Sequence, residues 1–324
     1  MSQDNSSSTG SGEKPVLPPD AWLGGRRVWV SGASGLVGGA LVARLRRVGA
    51  AVGCLVRRPA EPGRDEMAWE PATGQIDRAA LEGVDAVVHL AGENIAAGRW
   101  TAQRKEAIRA SRVDGTRLLA EALASLARPP RVLVAASAVG FYGHRGDEEV
   151  DETSPPGHGY LPDVCQQWEA AALPAAAAGI RVVHLRIGMV LSRAGGALAR
   201  MLPPFRMGLG GRIGSGRQWV SWIAREDLLA IIERALTHDS WAGPVNAVAP
   251  GPVTNAEFTR TLARMLRRPA VLPLPASVVK LLFGEMGQCL LLEGARVRPG
   301  KLVADGFPFV YPDLESALRD ELNP

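Results

Sequence analysis

Apolar positions along the chain follow two rhythms. Val28-Trp29-Val30 is a short uninterrupted apolar run closed by Ser31 and Gly32, which predicts a strand buried on both faces. Leu36, Val37, Leu41, Leu45 and Val48 then recur at helical spacing and Gly49 follows them, so a helix is predicted over Leu36–Val48. Ala51–Val56, Asp85–Leu90, Val132–Ala136 and Ile180–Leu185 read as further strands. Arg104–Leu126 reads as a long helix stopped by Pro129-Pro130, and Gln166–Ala178 as another that Pro174 kinks or restarts. Strands alternating with helices in this way predict an α/β fold, a Rossmann-like doubly wound parallel sheet with a smaller substrate-side region.

The two ends break the rhythm. Met1–Asp20 is rich in Ser, Gly, Asn and Pro, and residues 1–25 are predicted to be a disordered tail, with order beginning near Arg26. Residues 26–265 are predicted to form the sheet domain with its interleaved substrate-side segments. One helix lies between the proline clusters of Pro250–Pro275, and residues 266–324 are predicted to form an appended α-rich C-terminal unit. No internal repeat is visible.

The first candidate chemistry lies where a strand ends and a helix begins, at Ser31-Gly32-Ala33-Ser34-Gly35-Leu36-Val37-Gly38. In this context Gly32 allows a tight turn, Gly35 lets backbone approach a pyrophosphate, and Gly38 lets helix and strand pack closely. The phosphate charge would face the unpaired N–H groups of the helix N-terminus. A dinucleotide is therefore expected on Gly32, Ser34, Gly35, Leu36, Val37 and Gly38. Its kind is read at the end of the second strand. An acidic residue there suits a free ribose 2′-hydroxyl, whereas this chain has Arg57-Arg58, two cations that suit a 2′-phosphate. The expected cofactor is NADP(H).

Composition and charge exclude several classes. The chain has 324 residues, 46% of them hydrophobic, and a formal net charge of +4 with its arginines scattered rather than clustered, which argues against nucleic acid and polybasic membrane surfaces. No stretch approaches the ~20 apolar residues of a membrane span, and the N-terminus lacks the apolar core of a signal peptide. Cys54, Cys165 and Cys289 are far apart without metal or disulfide spacing, which fits a reducing, cytoplasmic setting. The five histidines share no ligand spacing, so no metal is expected.

With these motifs in view, the chain resembles the extended short-chain dehydrogenase/reductases, the group that holds the NAD-dependent epimerases and dehydratases. Val87-Val88-His89-Leu90-Ala91-Gly92 is similar to that group's fourth strand and cofactor-contacting turn, which adds Leu90, Ala91, Gly92 and Glu93 to the expected cofactor contacts. Val113-Asp114-Gly115-Thr116, Ser137–Gly143 and Arg186–Val190 resemble its helix signature, serine strand-end and post-catalytic strand. Trp69-Glu70-Pro71, Gly98–Thr101, Ser111-Arg112-Val113, Trp168-Glu169, Trp222-Ile223, Arg296–Pro299 and Gly306–Phe309 resemble the narrower "epimerase family protein" branch, family 39U. The resemblance runs from about Arg26 to the end and implies a C-terminal domain of unknown function.

The departure from the superfamily is at its catalytic pair. A Tyr-x-x-x-Lys pair on one helix normally supplies a tyrosinate and the lysine that lowers its pKa. Glu169 looks equivalent to the glutamate that follows that lysine by four residues. Counting back puts Cys165 at the lysine position and Leu161 at the tyrosine position. Tyr160 is one residue off, which turns a helical side chain by ~100°.

Three readings stay open. In the first, the protein is an NADP(H)-dependent oxidoreductase or epimerase-like enzyme acting on an unknown small molecule with a substitute proton donor: Tyr142 first, Tyr160 second, with Ser137 holding a substrate oxygen. In the second, it is a catalytically silent NADP(H)-binding regulator. In the third, the cofactor only braces a structural partner protein. Arg112, grouped with the cofactor contacts, stands where related enzymes often carry asparagine, and would hold an acidic substrate group or a carboxylate neighbour. Cys165 reads as a small apolar filler. Arg186 and Arg217 are expected anion anchors. Trp100, Trp219 and Trp222 wall a cleft or pack under a domain boundary, and Gly208–Gly216 forms a lid or a surface loop. Related enzymes pair through helices such as Arg104–Leu126, which makes a homodimer an expectation.

Overall fold

Successive side chains of the first strand enter two different cores, and this is what fixes the layered architecture. Val28 and Val30 pack on one side with Val52, Val88, Val134 and Leu185. Trp29 packs on the other with Leu55, Val87, Leu133 and Val182. A strand apolar at every position is stable only with helices over both faces of the sheet. The computed structural model describes residues 21–322; residues 1–20 of the expected tail lie outside them.

The main sheet has eight strands. The first six are β1 (Arg27–Ser31), β2 (Ala51–Val56), β3 (Glu66–Glu70), β4 (Gln75–Ile76), β5 (Ala86–His89) and β6 (Val132–Ala138). They continue with Arg181–Ile187 and Gly243–Ala247. The spatial order is Gly243–Ala247, Arg181–Ile187, β6, β5, β1, β2, β3, β4. Every neighbouring pair is parallel except the closing hairpin of β3 and β4. This is the doubly wound α/β sheet expected from the sequence, with its order reversing at β1 and β5.

The first helices are α1 (Leu36–Arg47), α2 (Arg78–Leu81), α3 (Ala102–Ala124) and α4 (Tyr160–Ala170). Thr101 starts α3 by accepting the Arg104 N–H at 3.1 Å. The helix expected from Gln166 begins at Tyr160 instead. Pro162 falls in its first turn, where a missing N–H has no intrahelical partner to lose. The chain then breaks, and Pro174 opens the separate helix Leu173–Ala177.

The boundary near Arg26 is corrected. Ordered structure starts before Arg26: Ala21–Leu23 forms a single turn, and Leu23 is wholly buried in the core beside α1. Burying one leucine is worth about 1.5–3 kcal/mol and offsets part of the entropy of ordering this short segment. Elements not read from the sequence are β3, the strand Gly243–Ala247, and the helices Gly196–Arg206 and Arg225–Thr237.

The C-terminal segment is α-rich and is woven into the rest. Leu302, Phe307, Leu314 and Leu318 share a core with β1. The Asp227 carboxylate, fully buried, accepts the Val310 and Tyr311 N–H groups at 2.8 and 3.0 Å. Arg296–Val297 pairs in parallel with Glu149–Val150. The glycine stretch 208–216 is a partly exposed connection tied by its backbone to residues 272–274. A side chain at Gly211 would collide with the Leu272 carbonyl. Gly214 N–H donates to the Leu274 carbonyl at 2.8 Å, and Leu274 N–H to that of Arg212 at 2.9 Å. Among the described residues no helix is long and apolar enough to cross a membrane.

Candidate active site

The turn between β1 and α1 is shaped by backbone contacts that only glycine permits at two of its three positions. Gly32 has φ +72°, and a Cβ there would press on the Leu90 and Ala91 backbone at 2.8–2.9 Å. A Cβ on Gly38 would run into the Gly32 carbonyl. Gly35 differs: its would-be Cβ meets only the Gly32 oxygen, at 3.2 Å, and the residue is exposed. Gly35 is also the N-cap of α1 and brings no side chain to its amides. The first-turn N–H groups over Leu36 and Val37 therefore face outward uncapped beside the exposed Ser34. A helix start of this kind suits an anion.

A buried pair holds the floor of this turn. The Ser31 hydroxyl lies 2.6 Å from His89 Nδ1 and accepts the Leu90 and Ala91 N–H groups, both at 3.2 Å. This joins the ends of β1 and β5. His89 is enclosed, and burial depresses its pKa to about 4, so the ring is neutral at neutral pH. The next turn follows directly. Gly92 is exposed, and Glu93 N–H donates to Ser111 Oγ at 3.0 Å while its carboxylate pairs with Arg104 at 2.9 Å.

At the end of β2 the two arginines differ. Arg58 is held by Glu66 at 2.7 Å and Glu61 at 3.1 Å, and its Nη1 donates to the Pro59 carbonyl at 2.9 Å. Arg57 is exposed. The two cations thus make one fixed and one outward guanidinium rather than an equal pair.

Around α4 the structure joins side chains far apart in sequence. Arg186 Nε and Nη2 each donate to the Glu169 carboxylate at 2.9 Å, and Ser137 Oγ donates to the same carboxylate at 2.7 Å. Arg186 also lies 3.4 Å from the Phe141 ring centroid and donates to the Tyr142 hydroxyl at 3.0 Å. That hydroxyl donates in turn to Asn246 Oδ1 at 2.7 Å. Tyr142 is fully buried, and burial pushes its pKa up to about 12. Tyr142 and Ser137 are thus members of one internal network. Arg186, expected as an anion anchor, is 4% exposed and already neutralised by Glu169. Asn246 and Glu152, which accepts the Asn246 N–H at 2.9 Å, belong to this network without any local sequence signal.

Tyr160 sits at the first turn of α4. Its hydroxyl donates to the Lys105 carbonyl at 2.7 Å, its ring meets Trp100 edge-on, and the Lys105 ammonium lies 4.5 Å above it. Cys165 is buried as the expected filler, and burial raises its pKa to about 12. Leu161 and Cys165 line up against Gly140 at 3.6–3.7 Å from where its Cβ would be. Arg112 lies across this helix, 5.1 Å over the Trp168 ring. Trp222 is buried with its N–H on the Gly251 carbonyl, whereas Arg217 is exposed, with Asp147 3.9 Å away.

The sequence profile of the NAD dependent epimerase/dehydratase family matches residues 28–248. The chain belongs to that family. Its epimerase/dehydratase region holds the glycine turn and the Glu169–Arg186 network, and a domain of unknown function, DUF1731, matches residues 274–321. The chain is 45% identical over 291 residues to the epimerase family protein Mb2239 of Mycobacterium bovis, covering 90% of this chain and 96% of that one. It is 40% identical over 298 residues to the human epimerase family protein SDR39U1, covering 91% and 99%. A crystal structure of human SDR39U1 with NADPH superposes with a TM-score of 0.84 at 38% identity, covering 92% of this chain and all of that one.

Proposed function

We propose that this epimerase/dehydratase family member binds NADP(H) across the β1–α1 turn. The observation that carries the reading is the uncapped start of α1 at Gly35, beside two glycines that packing forbids to be anything else. The likeness to human SDR39U1, solved with NADPH, supports it. Gly32, Ser34, Gly35, Leu36, Val37 and Gly38 would hold the pyrophosphate. Arg57 would meet the 2′-phosphate, with Arg58 held beside it by Glu61 and Glu66. Leu90, Ala91, Gly92 and Glu93 would line the next part of the groove.

The reaction is that of an oxidoreductase or epimerase-like enzyme on a small molecule, to which the bound nicotinamide supplies or returns a hydride. The chain's own part is to orient substrate and hold a proton. Ser137 and Tyr142 stand behind the reacting side in the Glu169–Arg186 network. Tyr160 is the tyrosine at the cleft edge, and it would act by exchanging the Lys105 carbonyl for a substrate oxygen. A specific observation favours a second reading, a silent NADP(H)-binding regulator: Leu161 and Cys165 replace the usual pair, and both tyrosine hydroxyls are engaged inside the protein. Pairing of two copies through α3 belongs to the same reading and is measured by sedimentation.

Titration with NADPH and NADH, followed by nicotinamide fluorescence and thermal shift, tests the proposal. NADPH should bind at least about tenfold more tightly than NADH, a difference of about 1.4 kcal/mol. Equal affinities would remove the 2′-phosphate contact, and no binding of either would remove the cofactor.

A further inference from the structure

Arg112 is a cation that makes no direct ion pair among the described residues. Its neighbours on α3 are paired: Arg104 with Glu93 at 2.9 Å, Lys105 with Glu285 at 2.8 Å, and Arg109 with Glu106 at 2.6 Å. Arg112 Nη1 donates only to the Ile108 carbonyl at 3.2 Å and to Ser111 Oγ at 3.4 Å. A guanidinium presents five N–H donors in a planar fork, so these two long contacts leave most of the fork unused. Among the described residues no Asp or Glu forms an ion pair with it. Burial also disfavours its charge, lowering its pKa from the ordinary arginine value. A half-buried charge with no direct ion pair, its nearest carboxylate being shared with Arg104, is costly unless a ligand completes the site.

On one side the fork faces the turn after β5. Gly92, exposed at the turn after β5, would carry its Cβ 3.5 Å from the guanidinium carbon. Trp168 backs the guanidinium at 5.1 Å, and Cys165, Tyr160, Glu93 and Arg104 are its other electrostatic neighbours, Glu93 being engaged in its ion pair with Arg104. Next to it is a cluster of partly exposed apolar side chains. Ile95, Tyr160 and Leu161 come from the sheet domain; Phe283 and Leu290 come from the C-terminal unit. Ile108, whose carbonyl Arg112 holds, is part of the same cluster. A charged anchor and an apolar wall thus adjoin at one place, built from both parts of the chain.

We propose that Arg112 anchors the anionic end of the substrate, a carboxylate or a phosphate, while an apolar body lies along Ile95, Leu161, Phe283 and Leu290. Either oxyanion matches the fork with two parallel charge-assisted hydrogen bonds. The substrate class is then an amphipathic organic acid or monophosphate, and the C-terminal unit sets how long its apolar body is. The proposal rests on the reading that NADP(H) occupies the α1 side of the same groove.

The test uses the full chain saturated with NADPH, titrated calorimetrically with hexanoate, hexyl phosphate, hexan-1-ol and acetate. Binding of hexanoate or hexyl phosphate is expected, the tighter of the two naming the head group, with hexan-1-ol and acetate weaker. Arg112→Gln should weaken the six-carbon anion by about tenfold or more, the scale of one lost charged hydrogen bond, with NADPH affinity unchanged. Phe283→Ser should weaken hexanoate and leave the NADPH affinity near that of the parent. Anions that bind Arg112→Gln as well as the parent, or that do not bind the NADPH complex at all, overturn the proposal. So does loss of NADPH binding in a folded Arg112→Gln, which would assign the guanidinium to the dinucleotide. Failure of the parent chain to bind NADPH is measured before any anion is added, and overturns the cofactor reading instead.

Discussion

The Glu169 carboxylate closes on the Arg186 guanidinium through two hydrogen bonds of 2.9 Å, one from Nε and one from Nη2, where α4 crosses the end of the sheet. Ser137 and Tyr142 each hold one side of this pair. Removing one partner leaves the other charge buried alone, so Glu169→Leu or Arg186→Met should each destabilise by about 3–5 kcal/mol. The double variant should lose less than the sum of the singles, because no lone charge remains. Urea unfolding of the four proteins measures this, and additive losses would show that the pair is not coupled.

Acid should weaken the fold through His89. Its folded pKa is depressed to about 4 by burial, against 6.5 for the free side chain. The unfolded chain therefore binds the proton first as pH falls. The stability this ring holds is complete above pH 6.5 and is lost between there and pH 4, by about 3 kcal/mol. His184, also depressed by burial, acts in the same direction. His89→Gln, which keeps a hydrogen-bonding group for Ser31, should flatten part of this limb in unfolding free energies taken from pH 7 to 4. An unchanged slope would assign the acid loss to other groups.

Two of the turn glycines, Gly35 and Gly38, should separate folding from binding. Gly38→Ala places a methyl against the Gly32 carbonyl and should lower the melting temperature together with NADPH affinity. Gly35→Ala meets only one oxygen at 3.2 Å and should keep the parent melting temperature while losing about tenfold or more in NADPH affinity. Equal melting temperatures for both variants would contradict the packing described for Gly38.

Arg57 and Arg58 should not be equivalent. Arg57→Ala is expected to weaken NADPH by about tenfold or more and leave NADH unchanged, the loss of a phosphate contact. Arg58→Ala should have a smaller effect, because Glu61 and Glu66 already hold that guanidinium. The reverse ranking in a fluorescence titration would make Arg58 the phosphate ligand.

Asp227 should fasten the C-terminal segment. Its carboxylate accepts the N–H groups of Val310 and Tyr311, and Asp227→Ala leaves both unpaired at about 1–3 kcal/mol each. Limited proteolysis should then cut near residues 305–313 sooner than in the parent protein.

What was legible in the sequence was local. The strand over Val28–Val30, the turn at Gly32–Gly38 and helix α1 occupy one short stretch, and each depends on spacing between near neighbours: continuous apolar residues for a buried strand, a 3.6-residue period for a helix, glycine where backbone must meet backbone. The missing Tyr-x-x-x-Lys pair was legible for the same reason, since i and i+4 share one helix face. β3 escaped because only Met67 and Trp69 of its five residues turn inward, and the strand Gly243–Ala247 because Gly and Pro open it.

The roles of the polar side chains were decided only by the tertiary structure. Sequence makes Tyr142 a candidate donor, Arg186 an anchor and Arg58 half of a clamp. In the fold Tyr142 meets Asn246, 104 residues away; Arg186 meets Glu169, 17 away; and Arg58 meets Glu66 across β2 and β3. Arg112 alone among the cations of its helix's first half is left without an acidic partner. The sequence by itself determined the alternation of strands and helices, the turn and the loss of the catalytic pair, because these follow from spacing between near neighbours. Which charges are neutralised, and which is left without a direct ion pair, depends on burial and on partners brought together by strand order, and only the folded chain sets those.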